Sequence, residues 1–87
     1  MIKNLVVVGS GVMGRGIAYV SAVGGFNVKL VDIKEEQLEN AEKELEKIFQ
    51  KGVERGKLDE AGKDAARKRL RYSTGLSGAV RDADLVI

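Results

Sequence analysis

The run Leu5-Val6-Val7-Val8-Gly9-Ser10-Gly11-Val12-Met13-Gly14 constrains this chain more than any other stretch. Leu5 to Val8 is uninterrupted and mostly β-branched, the pattern of a parallel strand buried on both faces. Gly9 permits a sharp turn at the strand end, and Gly11 removes the side chain where backbone must approach a ligand. Gly14 lets the following helix lie close to the strand. A helix beginning near Gly11 aims free N–H groups and the positive end of its dipole at an anion. The next apolar run, Val28-Lys29-Leu30-Val31, ends on Asp32, 18 residues beyond Gly14. An acid placed there accepts hydrogen bonds from the adenosine ribose of a dinucleotide whose pyrophosphate lies over the glycine turn.

Glycine triplets of this spacing also occur in tight turns that bind nothing. Such a turn would leave both the flanking strand–helix–strand pattern and the correctly placed acid as coincidence. The reading is therefore a cofactor site built from Gly9, Ser10, Gly11, Val12, Met13, Gly14 and Asp32. Asp32 favours NAD over NADP, because a 2′-phosphate beside a carboxylate is repelled, and Lys34 is the nearby residue that could soften this preference. Ser10 reads as a phosphate or backbone contact.

Composition narrows the remaining classes. Eighty-seven residues make one small domain and not two. Apolar content of 44% with 32% charged residues fits a soluble globular segment. The sequence has no Cys, which excludes a disulfide framework, a thiolate zinc site and a cysteine nucleophile. No apolar run approaches membrane-spanning length, and Met1-Ile2-Lys3-Asn4 leads into a strand without a signal-peptide pattern, so the expected location is the cytoplasm. Fifteen Lys and Arg against 13 Asp and Glu leave a net charge of only +2, and the basic residues are mixed with acids, so nucleic acid is not an expected partner.

Along the chain, Lys3 to Val8 is expected as the first strand and Gly11 to about Val23 as the first helix. Met13, Ile17, Val20 and Gly24 fall on one face of that helix, and Gly16 is expected to keep it close to the sheet. Gly24-Gly25 stops the helix, and Asn27 opens the second strand, completing a βαβ unit whose crossover should be right-handed. From Lys34 a long charged helix runs to about Lys51 and at most Arg55. Its stripe is Leu38, Ala41, Leu45, Ile48, Phe49 and Val53, and Glu39 and Lys43 are spaced for an i,i+4 pair. This helix should protrude and touch something at its far end. Gly52 to Leu58 reads as a turn, Asp59 as the cap of a thinly packed helix from Glu60 to about Leu70, and Tyr72-Ser73-Thr74 as a short third strand. Gly75 to Asp82 reads as a loop or single turn, and Ala83 to Ile87 as a fourth strand.

The fold class is thus α/β: a Rossmann-like parallel sheet of about four strands with a βαβ start and a long protruding helical hairpin. The two crossover helices lie on one face, and the other face would be left apolar and open. Residues 1–87 therefore read as the N-terminal part of a dinucleotide-binding domain, with a helical insertion over 33–71. The chain thus reads as a fragment of a longer protein that should hide that face by self-association, and a homo-oligomer is the expected state.

Gly9-Ser10-Gly11-Val12-Met13-Gly14-Arg15-Gly16-Ile17-Ala18, Val31-Asp32, Val53-Glu54-Arg55-Gly56-Lys57-Leu58 and Ala83-Asp84-Leu85-Val86-Ile87 together closely resemble the N-terminal region of 3-hydroxyacyl-CoA dehydrogenases. The short bacterial 3-hydroxybutyryl-CoA dehydrogenases are the nearest likeness. The resemblance implies reversible hydride transfer between NAD and the C3 hydroxyl of a 3-hydroxyacyl-CoA, in fatty acid β-oxidation and butanoate metabolism. It also implies that the distal end of the long helical region meets the CoA nucleotide, which makes Lys51, Arg55 and Lys57 candidate phosphate contacts; a solvated basic helix end explains them equally well. Family members use a His held by a Glu as general base. This sequence has no His, and no other residue offers a base with a pKa near neutrality, so no catalytic residue is assigned and the 87 residues alone are expected to be inactive. Tyr19 and Tyr72 read as packing residues. Two alternatives share the glycine motif: the NAD-binding part of another β-hydroxyacid dehydrogenase with a Lys base, and a regulatory module that senses NAD or NADH without chemistry.

Overall fold

The computed structural model describes residues 3–75, 78, 81 and 83–87. The elements run β1 (Asn4–Val8), α1 (Val12–Val23), β2 (Asn27–Val31), α2 (Glu35–Glu54), α3 (Glu60–Arg69), β3 (Leu70–Ser73) and β4 (Leu85–Val86). The four strands form one parallel sheet in the order β3-β2-β1-β4. Chain order thus runs outward from β1 to β3 and then returns to the opposite side of β1. That reversal places a topological switch point at the C-terminal ends of β1 and β4.

One continuous core joins the sheet to all three helices: Leu5 and Val7 of β1, Val28 and Leu30 of β2 and Leu70 of β3 meet Ala18 and Ala22 of α1, Leu38, Ala41, Leu45 and Phe49 of α2, and Ala66 of α3. Full burial of side chains such as Leu30, Leu45 and Phe49 contributes roughly 1.5–3 kcal/mol each. The Phe49 and Tyr19 rings meet at 5.2 Å and 55°. Two polar contacts bind α3 into this layer, and a third caps it. Arg67 Nε meets Glu46 Oε1 at 2.8 Å, Arg69 donates to the Ala22 carbonyl at 2.7 Å, and Asp59 caps the helix by accepting from the Gly62 N–H at 2.6 Å.

Several sequence expectations are corrected here. The buried stripe of α1 is Gly14, Ala18 and Ala22, not Met13, Val20 and Gly24, which are exposed, while Ile17 is half-buried. Small residues bury on this face because the helix lies too close to the strands for larger ones. Gly16 is exposed with open space where a Cβ would project, so it has no part in helix–sheet approach. Strand β3 begins at Leu70, which the 3.6-residue pattern had placed in the helix, and β4 is confined to Leu85–Val86. Glu39 and Lys43 do not form an ion pair; the i,i+3 pairs Lys47–Glu44 and Lys63–Glu60 do. The far end of α2 meets Tyr19 and Leu58 at the buried Gly52. Gly75 to Asp82, read as a loop or single turn, falls largely outside the described residues.

The helix-free face of the sheet is not simply open. Val6 and Val31 are only 2% and 1% exposed, and Ala83 packs against them on that face. Val8 and Val86 stay about half exposed at its C-terminal edge. Lys29 and Arg71, paired in register across β2 and β3, share that face with Val6 and Val31 and bring charge to it.

Candidate functional site

The C-terminal edge of the sheet is assembled from backbone first. Val8 N–H donates to the Ile87 carbonyl at 2.9 Å, Gly9 N–H to the Val31 carbonyl at 2.7 Å, and Asp32 N–H to the Ser73 carbonyl at 3.2 Å. These bonds extend the ladder one residue beyond the strands and bring Gly9 and Asp32 side by side. Gly9 has φ of +95°, a conformation that side chains rarely adopt, and it turns the chain out of β1. At Gly14 a Cβ would run into the carbonyl oxygen of Gly9, so only glycine lets α1 start against the turn.

Helix α1 begins with an N-cap at Gly11, in extended backbone and with no side-chain cap. Arg15 N–H donates to the Gly11 carbonyl at 2.9 Å and is the first N–H to close the helical ladder. The N–H groups of Gly11, Val12, Met13 and Gly14 therefore lack intrahelical acceptors. A Cβ on Gly11 would project into open space at this end of the helix, so the turn leaves a cradle with four backbone donors and no side chain across it. An anionic pyrophosphate fits that donor set. Val12, Met13 and Ile33 are each about 80% exposed around the same edge.

Asp32 is the best-defined side chain of the site. Its Oδ2 accepts from Ser10 Oγ at 2.8 Å and from Ser10 N–H at 3.1 Å, and its Oδ1 accepts from Lys34 N–H at 3.1 Å. The Lys34 N–H, then the Ser10 N–H and hydroxyl, hold the Asp32 carboxyl below its ordinary value of 3.8, against a smaller opposing effect of burial. It is ionised throughout the neutral range. Ser10 is 1% exposed, and both of its donors are turned to Asp32. No periodicity in the sequence signals this, because the pairing joins residues 22 apart through the sheet. Ile33 was not singled out either, although a lone apolar residue between Asp32 and Lys34 was its signal.

Lys51, Arg55 and Lys57 are gathered elsewhere. All three are exposed, Lys51 in the last turn of α2 and Arg55 and Lys57 in the turn after it, where Arg55 N–H donates to the Lys51 carbonyl and Lys57 N–H to the Gly52 carbonyl. Helix α2 starts three residues after Asp32 and has 20 residues, which puts its two ends about 30 Å apart. The glycine turn and the basic turn are thus separate places on the molecule. Tyr72, half-buried beside Glu42 and Glu46, has its phenol pushed up to about 12, chiefly by burial, which suits packing and not proton transfer.

Residues 4–87 match the family model described as 3-hydroxyacyl-CoA dehydrogenase, NAD binding domain. The chain is 42% identical over 86 residues to the fatty acid oxidation complex subunit alpha of Idiomarina loihiensis, covering 99% of the chain and 12% of that protein. It is 37% identical over 86 residues to a probable 3-hydroxybutyryl-CoA dehydrogenase of Bacillus subtilis, covering 99% of the chain and 30% of that protein. Among solved structures, (S)-3-hydroxybutyryl-CoA dehydrogenase from Ralstonia eutropha superposes with a TM-score of 0.92 at 32% identity, over 99% of the chain and 30% of that protein. The chain therefore spans less than a third of the length of each of these relatives.

Proposed function

The chain belongs to the 3-hydroxyacyl-CoA dehydrogenase NAD-binding domains, and on that premise we propose that it holds NAD across the switch point for the oxidation of a 3-hydroxyacyl-CoA at C3. The observation that carries this reading is the juxtaposition of the open N-terminus of α1 with a fixed, ionised Asp32. In it, the pyrophosphate lies on the N–H groups of Gly11 to Gly14, while Gly9 and Gly14 shape the turn. Asp32 accepts from the adenosine ribose, and Val12, Met13 and Ile33 line the crevice. Bound NAD supplies the acceptor for the hydride leaving C3, and the product is the 3-oxoacyl thioester.

Several finer readings belong to the same proposal. The likeness to 3-hydroxybutyryl-CoA dehydrogenases supports a short acyl chain and a place in butanoate metabolism. The exposed basic turn of Lys51, Arg55 and Lys57 supports contacts with the phosphates of CoA. Among the described residues no helix is long and apolar enough to cross a membrane, which supports a cytoplasmic location. The half-exposed Val8 and Val86 on one sheet edge support a homo-oligomer. Residues 1–87 act in this reading as the first part of the dinucleotide-binding domain, with 33–71 as its helical insertion, and a His–Glu pair would come from outside them.

Calorimetric titration of NADH into the full-length chain, in parallel with Asp32→Ala, tests the cofactor reading. Loss of a hydrogen bond to a charged acceptor should weaken NADH by roughly ten- to a hundredfold. NADPH should weaken less, since its 2′-phosphate loses a repulsion at the same time. Equal affinities of wild type and Asp32→Ala for NADH would remove Asp32 from the site.

A further inference from the structure

Ser10 sits in the middle of a turn whose backbone is built to meet an anion, yet it offers nothing to one. The residue is 1% exposed, and a hydroxyl has a single proton to donate. That proton goes to Asp32 Oδ2 at 2.8 Å, and the Ser10 N–H goes to the same oxygen at 3.1 Å. A carboxylate offers about four lone-pair sites. Two on Oδ2 are taken by Ser10 and one on Oδ1 by Lys34 N–H, which leaves one, on Oδ1.

We propose that Ser10 is a positioning residue for cofactor selection: by holding Oδ2 from two donors it fixes the Asp32 carboxylate so that Oδ1 alone is presented to the adenosine ribose. This rests on the reading of Asp32 as the ribose contact. Two consequences distinguish it from a structural hydroxyl. A carboxylate clamped at one oxygen cannot swing aside, so it rejects a 2′-phosphate more sharply than a freely rotating one. The clamp also stabilises the ionised form, so the pH at which ribose recognition fails depends on Ser10.

The test is a double-mutant cycle of Ser10→Ala and Asp32→Ala on the full-length chain, with NADH and NADPH affinities measured by calorimetry and the Asp32 carboxyl titrated by carbon-13 NMR without cofactor. Charge-assisted hydrogen bonds of this kind set the expectation that Ser10→Ala weakens NADH by roughly three- to tenfold. It should also narrow the NADH over NADPH preference and raise the Asp32 titration midpoint toward 3.8. In the Asp32→Ala background the same substitution should leave NADH affinity unchanged. Ser10→Gly, which removes the hydroxyl and keeps the N–H, serves as a second variant should Ser10→Ala not fold. Equal weakening of NADH by Ser10→Ala in both backgrounds would make Ser10 a direct cofactor contact and overturn the proposal. No effect in either background, with Asp32→Ala still damaging, would overturn it and leave the ribose contact standing. No effect of Asp32→Ala itself would overturn both.

Discussion

Gly14 and Gly16 lie two residues apart on α1 and meet opposite surroundings. A Cβ at Gly14 would collide with the Gly9 carbonyl, which is backbone and must move with the whole turn, whereas one at Gly16 meets nothing within 4 Å. Gly14→Ala should therefore destabilise by about 1–3 kcal/mol, as overpacking does, and weaken NADH by displacing the turn. Gly16→Ala should stabilise by roughly 0.5–1 kcal/mol, since helical glycine is conformationally costly and no contact here repays it. Urea midpoints of the two variants check this; shifts of the same sign would contradict it. The contrast marks the limit of what the sequence discloses about single residues. Gly9 and Gly14 were legible because each answers a geometric demand that strand–turn–helix connectivity imposes. Gly16 escapes a reading from size alone because exposure on a helix depends on which stripe buries: α1 buries Gly14, Ala18 and Ala22, and Gly16, equally small, lies off that stripe. The Ser10–Asp32 bond was illegible because it crosses between two strands whose spacing no local pattern encodes.

At the scale of elements, the three helices differ in how their N-termini are closed. Asp59 caps α3 by accepting from Gly62 N–H, and Glu35 and Glu36 place negative charge in the first turn of α2. Helix α1 has neither a side-chain cap nor an acid in its first turn. The helix left with neither device is the one that starts at the glycine turn, where the proposed pyrophosphate site needs free donors. Asp59→Ala should cost about 1 kcal/mol, the usual worth of an N-cap, and lower the thermal midpoint by roughly 4–8 °C without changing NADH affinity. Thermal unfolding followed by circular dichroism, beside a titration, checks both halves; reduced NADH affinity would tie α3 to the crevice. The helices were readable from capping residues and apolar stripes, as Asp59 and the buried Leu38, Ala41, Leu45 and Phe49 attest. Strand limits were less so. Leu70 fits the apolar stripe of α3 and a β-strand equally well, and pairing with Val28 decides for the strand.

For the molecule as a whole, two carboxyls held low and one phenol held high among the described residues set where stability depends on pH. Asp32 is held down by Lys34 and Ser10, and Asp84 by the N–H groups of Asn4 and Lys3, each donating at 2.9 Å to Oδ2 and fastening the entry of β4 to β1. A depressed folded-state value contributes stability that is complete above the ordinary 3.8 and is lost as pH falls through the lowered value. Tyr72 works in the opposite sense. Raised from 10.0 to about 12, it contributes stability that is complete below 10.0 and is lost as pH rises through about 12. The chain has no His to titrate between these limits. Urea midpoints should therefore hold level from about pH 5 to 9, fall on the acid side below the ordinary carboxyl range and fall on the alkaline side above the ordinary phenol range. Tyr72→Phe should flatten the alkaline fall and leave the acid one untouched, while Asp84→Asn should do the reverse. Because Asp84 ties β4 to β1, its variant should also speed amide exchange at Lys3 and Asn4 at neutral pH. An alkaline fall that persists unchanged in Tyr72→Phe would place its cause outside the Tyr72 phenol.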